Sequence, residues 1–175
     1  METATLGGGC FWCVEAVYNK LQGVESAISG YMGGKASTAN YKAVCTKTTA
    51  HIEVVQVTFD PAIVSYADIL RIFFTVHDPT TRDRQGGDVG PQYRSAIFTH
   101  NEQQGMIAQE VLAEAQELYD NPIVTDIREA MPFYTGEEYH QGYFERVGSQ
   151  NSYCTFVIAP KVSKFRQQFA HRLKS

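Results

Sequence analysis

Apolar positions along the chain follow two periods. Alternation marks strands, and three- or four-residue spacing marks helices. Ala4–Leu6 reads as a short strand that ends in Gly7-Gly8-Gly9. A helix is expected from about Cys10 to Gln22, with Val14, Val17 and Leu21 at helical spacing and Gly23 as its stop. Val24–Ser29 reads as a strand, and Gly30-Tyr31-Met32-Gly33-Gly34 as a turn. His51–Phe59 is the clearest strand and is closed by Asp60-Pro61. Ser65 is placed to cap a helix running to about His77, with Tyr66, Ile69, Phe73 and Val76 on one stripe.

Ser95–Thr99 predicts a further strand. Asn101 is expected to cap a long helix to Tyr119, with Ile107, Val111, Ala115 and Leu118 facing inward. Ile123–Ile127 reads as a strand, Glu137–Arg146 as a helix, and Cys154–Ile158 as a short extended piece. A last helix over Lys161–Leu173 places Val162, Phe165, Phe169 and Leu173 on one face. Strands and helices mix without strict alternation. The pattern predicts an α+β fold, a mixed sheet covered by helices, in one domain spanning residues 1–175. Asp78–Gln92 is rich in Gly, Asp, Arg and Pro and reads as a long irregular loop, a kind that commonly carries function.

Composition narrows the function classes. With 43% hydrophobic and 19% charged residues, the chain can build a core and is not a disordered type. A net charge of −4 argues against a nucleic-acid or anionic-membrane partner held by bulk positive charge. No window approaches a membrane span, and Met1–Leu6 lacks the basic and apolar regions of a secretory signal, so a cytoplasmic location is expected. Four cysteines among 175 residues are too few for a disulfide scaffold. Their chemistry therefore becomes the question.

The most informative stretch is Gly7-Gly8-Gly9-Cys10-Phe11-Trp12-Cys13. The glycines allow unusual dihedrals and close approach of another group. Cys10 stands at or near the first position of a helix, where free N–H groups and the dipole favour a thiolate nucleophile. Cys13 lies three residues on, on the same helical face and within reach of a disulfide after modest rearrangement. Phe11 and Trp12 supply apolar aromatic surface beside the sulfur. Three other readings compete: an inert buried cysteine, a zinc site, and a thioredoxin-like oxidoreductase. Zinc would need two more ligands, and Cys45 and Cys154 form no second C-x-x-C. The thioredoxin-like reading lacks room for the βα unit that usually precedes its motif.

In His51–Phe59, alternation puts Glu53 on one face with Val55, Val57 and Phe59. If that face is buried, the carboxyl is desolvated, its pKa rises, and it can donate a proton near neutral pH. If the other face is buried, Glu53 points to solvent. His51 shares the Glu53 face and reads as a satisfied structural histidine. Tyr41 and Tyr93 carry hydroxyls that can bond a polar substrate oxygen and rings that can line an apolar pocket.

Taken together, these residues form a recognisable set. It comprises Gly9-Cys10-Phe11-Trp12, Gly30-Tyr31-x-Gly33-Gly34, Tyr41-x-x-Val44-Cys45, His51-x-Glu53, Phe59-Asp60-Pro61 and His77-Asp78-Pro79. Arg84-Gln85-Gly86-x-Asp88-x-Gly90-x-Gln92-Tyr93-Arg94-Ser95 and Tyr139-His140-Gln141 complete it. The chain closely resembles the A-type peptide methionine sulfoxide reductases from about Gly7 to Phe169.

The resemblance implies a two-layer α/β sandwich related to the ferredoxin-like plait. It implies reduction of the S epimer of methionine sulfoxide, free or in proteins. Cys10 would attack the sulfoxide sulfur and become a sulfenic acid. Glu53 would protonate the oxygen, with Tyr41 and Tyr93 hydrogen-bonded to it and Asp88 supporting the polar network. Phe11 and Trp12 would receive the substrate methyl group. A second thiol would close a disulfide, and thioredoxin, or another dithiol, would reduce it; no further cofactor and no metal are implied. The expected state is a monomer. Many relatives have Gly at the position of Cys13, which makes Cys13 the expected first resolving thiol here. Cys154 lies where some relatives keep a resolving cysteine and is expected to relay a second exchange. Cys45 is expected to be a buried structural thiol. Phe133-Tyr134-Thr135-Gly136-Glu137-Glu138 departs from the Pro-Ala-Glu often seen before Tyr139-His140-Gln141.

Overall fold

The computed structural model describes residues 1–143 and residue 146. Among the described residues the sheet has six strands: β1 (Glu2–Gly7), β2 (Val24–Met32), β3 (Ile52–Phe59), β6 (Ala96–Thr99), β7 (Asp126–Glu129) and β8 (Tyr134–Thr135). Their spatial order is β7-β6-β1-β3-β2-β8. Only β6 and β7 pair in parallel; β1–β3, β1–β6, β2–β3 and β2–β8 are antiparallel, so the sheet is mixed. A separate two-stranded hairpin joins β4 (Arg84–Gln85) to β5 (Asp88–Val89). The helices are α1 (Phe11–Tyr18), α2 (Tyr41–Val44), α3 (Tyr66–Val76) and α4 (Glu102–Gln116).

Alternation sorts the two sheet faces. Val55, Val57 and Phe59 of β3 join Leu6 of β1 and Ile97 of β6 under α1, α3 and α4 in the main core. Ile52 and Val54 face the other way, with Met32, Ala96 and Phe98, and are covered in part by Ala130 and Phe133. Glu53 belongs to the helix-covered face. Two helices start as their caps dictate. The Ser65 hydroxyl accepts from the Asp68 N–H, and the Asn101 side chain accepts from the Gln104 N–H.

Several boundaries differ from the sequence-based expectations. α1 stops at Tyr18 because the chain tightens into i→i+3 bonds, Lys20 to Val17 and Leu21 to Tyr18, that turn Leu21 into the core. β2 does not end at Ser29 but runs through Gly30 and Tyr31 to Met32. Gly30 is a close-approach glycine: a Cβ there would lie 2.4 Å from the Tyr134 carbonyl and 2.5 Å from the Phe133 ring. Leu118 is 74% exposed, since α4 ends at Gln116, and Ala108 rather than the half-buried Ile107 is the buried residue of its turn. β7 begins three residues later than expected, and Glu137–Arg146 opens as a 3-10 turn over Glu138–His140. The loop over Asp78–Gln92 is ordered by the β4–β5 hairpin around Gly86 (φ +60°) and Gly87. The expected elements at Cys154–Ile158 and Lys161–Leu173 lie outside the described residues.

Candidate active site

β1 delivers the chain into the Gly7-Gly8-Gly9 turn, and α1 leaves it. Gly9 has φ +92°, and a Cβ there would lie 2.6 Å from Gln85. The Gln85 amide in turn accepts from the Asp78 N–H and donates to the Asp78 carbonyl, both at 2.8 Å. This clamp seats the β4–β5 hairpin against the turn. Cys10 is the N-cap residue of α1, and its carbonyl accepts from the Cys13 and Val14 N–H groups. The Cys10 side chain makes no capping bond, so the sulfur is not spent on the helix end.

Glu53 comes from the middle of β3 and is 1% exposed. Its Oε1 accepts from the Phe11 N–H at 3.2 Å, the first amide of α1. Its Oε2 is buried and has no partner among the described residues. Burial raises the pKa of Glu53 well above the usual carboxylate value, and the charge on Cys10 raises it further, as does Asp88. Both effects favour the protonated form of Glu53 beside Cys10. Burial raises Tyr41 and Tyr93 too, with Glu53 adding to both, so each keeps its O–H. Tyr93 ends a 3-10 turn, Pro91–Tyr93, whose base is tied down by Arg94. Arg94 donates to Asp83 at 2.6 Å and to Asp126 at 3.2 Å.

These groups meet. Cys10, Phe11, Trp12, Tyr41, Glu53, Asp88 and Tyr93 line one cavity of about 330 Å³. That volume lies at the small end of ligand sites, about 300–1,000 Å³. Phe11 is buried and packs its ring 5.6 Å from Tyr31; Trp12 is half-buried and stacks on Tyr143 at 4.0 Å. The cavity thus joins one sulfur, three oxygen acids held neutral or able to donate, and an indole wall.

The comparisons with known proteins fit this geometry. The family model described as peptide methionine sulfoxide reductase matches residues 2–173. The chain belongs to the peptide methionine sulfoxide reductase family. A relative from Polynucleobacter asymbioticus, "Peptide methionine sulfoxide reductase MsrA", is 51% identical and covers 97% of this chain and 90% of its own length. The reduced form of Mxr1 from Saccharomyces cerevisiae superposes with a TM-score of 0.80 at 35% identity, over 83% of this chain and 84% of that one. The structure of Mxr1 in complex with Trx2 aligns with a TM-score of 0.58 at 27% identity, over 81% and 84%.

Within this methionine sulfoxide reductase, the cysteines separate. Cys13 is buried and packs in one small cluster with Cys10 and Ala16, but it does not line the main cavity. It faces a crevice formed with Gly8, Val14, Val17, Phe73, Val76 and His77. Cys45 is not buried, as the sequence had suggested, but exposed, because α2 is a single turn that ends there. Its thiol is hydrogen-bonded to the Tyr41 hydroxyl, and burial of the sulfur itself pushes its pKa up. Cys154 lies outside the described residues. Among the described residues no group of three or more His, Cys, Asp or Glu side chains is placed to hold a metal ion. No described helix is long and apolar enough to cross a membrane.

Three polar residues around the reductase site escaped the sequence reading. Glu137 accepts from the Tyr31 hydroxyl at 2.9 Å and from the Tyr41 N–H at 3.0 Å, so it fixes the start of α2. Burial works against its charge, but those bonds outweigh it and hold the carboxyl below its usual pKa. Glu15, 3% exposed, accepts from the Ser29 hydroxyl at 2.6 Å and from the Gly142 N–H. His140 accepts from the Trp12 indole. The signal for the last was the Tyr139-His140-Gln141 motif; for the two glutamates, spacing carried none. His51 is satisfied structurally, with Nδ1 on the Gly34 N–H and Nε2 on the Lys35 carbonyl.

Proposed function

We propose that this chain reduces the S epimer of methionine sulfoxide, free or within proteins, with Cys10 as nucleophile and Glu53 as acid. The observation that carries the reading is the Glu53 Oε2, without a partner among the described residues and buried beside Cys10 in the cavity walled by Tyr41, Tyr93 and Trp12. A buried carboxylic acid without an acceptor is costly unless the substrate supplies one. A sulfoxide oxygen is such an acceptor.

The chemistry then follows. The Cys10 thiolate attacks the sulfoxide sulfur while Glu53 gives its proton to the oxygen. Tyr41 and Tyr93 donate hydrogen bonds where negative charge develops on that oxygen, commonly the largest contribution to catalysis. The Cys10 sulfur is then bonded to the substrate sulfur, and the oxygen takes a second proton from a tyrosine and leaves as water. Water attacks the Cys10 sulfur and returns that proton, and the sulfur–sulfur bond breaks, leaving Cys10 as a sulfenic acid and methionine as the thioether. Asp88 adds to the rise of the Glu53 pKa and so favours the protonated carboxyl. Trp12, with Phe11, holds the methyl group; aromatic surface suits a thioether.

Regeneration needs a second thiol. Attack of that thiolate on the sulfenic sulfur expels water and forms a disulfide. Cys13 acts first, by its place in the Cys10 cluster, and Cys154 follows it in a relay. A dithiol protein of the thioredoxin type then takes up the disulfide. Its support is the Mxr1–Trx2 complex of a protein with this fold. No cofactor beyond the thiol reductant enters. The chain works as a single catalytic domain, a monomer, in the cytoplasm.

The test offers each epimer of methionine sulfoxide with dithiothreitol as reductant. Methionine is expected from the S epimer alone. Equal reduction of both epimers, or disulfide exchange without methionine, would overturn the reading.

A further inference from the structure

Trp12 is the only tryptophan in the chain. Its Nε1–H donates to Nδ1 of His140 at 3.0 Å, across 128 residues of sequence. His140 is completely buried. A neutral imidazole that accepts at Nδ1 carries its proton on Nε2. That Nε2 has no partner among the described residues. Among the described residues nothing bonds that nitrogen, and the indole is the partner that selects the tautomer. The rings of Phe11 and Tyr41 hold the imidazole in place, with centroids 5.1 and 4.5 Å away.

We infer that His140 is the positioning residue of the aromatic wall: its neutral Nδ1 anchors the Trp12 indole, and protonation of that nitrogen releases it. The reason is a count of donors. A protonated ring carries N–H at both nitrogens, so two donors would face each other across 3.0 Å. Either the proton or the indole must go.

Among the described residues the charged and titratable groups that face the ring are these. Glu137, Tyr139 and Arg146 come from its own segment, and Tyr41 comes from α2; α1 contributes only the Phe11 and Trp12 rings. Burial disfavours the cation most, Arg146 disfavours it further, and Glu137 favours it; the balance holds His140 below its ordinary pKa. The anchored state is therefore the neutral-pH state, and acid releases the indole. That the released wall weakens substrate binding rests on the reading of Trp12 as a methyl-group wall. The anchoring itself does not.

The experiment uses the emission of the single Trp12 in the full chain, titrated from neutral to acid pH. The wild type is expected to show a transition below the ordinary histidine pKa that is missing in His140→Phe and His140→Asn. In single-turnover reduction, His140→Phe is expected to raise the half-saturating sulfoxide concentration about 5–10-fold, the effect of one lost hydrogen bond, with a smaller change in the saturated rate. The amide oxygen of His140→Asn stands near the place of Nδ1 and is expected to restore most of that affinity, without the acid limb. An emission transition that persists in both variants, or an Asn variant as impaired as the Phe variant, would overturn the inference. If His140→Phe does not fold, the wild-type and His140→Asn titrations still decide. If no sulfoxide is reduced at all, the emission arm still reads the anchoring, so the two failures are distinguishable.

Discussion

Cys10 and Glu53 are both buried and line one cavity, and both cannot be charged there at little cost. The shift of Glu53 favours the proton on its carboxyl. Glu53 is pushed up first by burial and then by Cys10, while its Oε1 is steadied by the Phe11 N–H. A Glu53→Gln change keeps that bond and removes the transferable proton. The chemical step is expected to slow by about 100-fold or more, the usual scale of general-acid catalysis, in a rapid-quench single-turnover assay. An unchanged rate would remove Glu53 as the acid. The wild-type step is also expected to slow as pH rises through the raised Glu53 pKa, and the Gln variant should lose that limb.

At the scale of elements, the site depends on where β2, β8 and the 137–142 segment touch. Gly30 lets the Tyr134 carbonyl and the Phe133 ring approach β2. Glu137 then reaches Tyr31 and the start of α2, and Gln141 pairs with the Ser29 backbone at 3.0 and 2.8 Å. A Gly30→Ala change puts a methyl group into that contact. It is expected to cost about 1–3 kcal/mol, the scale of overpacking, and to lower activity by loosening Tyr41. Denaturant titration and activity read both; full stability would show that β8 can shift freely. Helix starts were legible because a side chain and its own neighbours decide them, as at Ser65 and Asn101. The extension of β2 was not, because Gly30 follows from a partner strand more than a hundred residues away. The β4–β5 hairpin was hidden by a different cause: its Gly86-Gly87 turn was present in the sequence, but two-residue strands leave no alternation to read.

For the whole molecule, the same carboxyl that serves chemistry works against stability. The sign follows from proton binding. Unfolded, Glu53 loses its proton above about pH 4.5; folded, it keeps it to a higher pH. Between those values the native state binds more protons, so stability falls as pH rises through that window. Glu53→Gln removes the loss and is expected to be the more stable protein at mildly alkaline pH, measured by urea unfolding across pH. A variant less stable than wild type there would contradict the burial account. The cavity was legible residue by residue, since Cys10, Phe11, Trp12, Tyr41, Glu53, Asp88 and Tyr93 all line it. The polar frame behind it was not: Glu15, Glu137 and His140 act over 14 to 128 residues of sequence, where periodicity carries no signal. The order of the thiols is a property of the full chain. Cys13→Ser is expected to spare one turnover and to slow thioredoxin-dependent recycling; intact recycling would make Cys154 the first partner.

The most direct measurement follows one turnover of the S epimer without added reductant, in the wild type and in Cys10→Ser. The wild type is expected to form methionine in proportion to enzyme, with loss of free thiols, and Cys10→Ser to form none while remaining folded. Methionine formed by the folded Cys10→Ser protein would contradict the assignment of the nucleophile and, with it, the reading of the site.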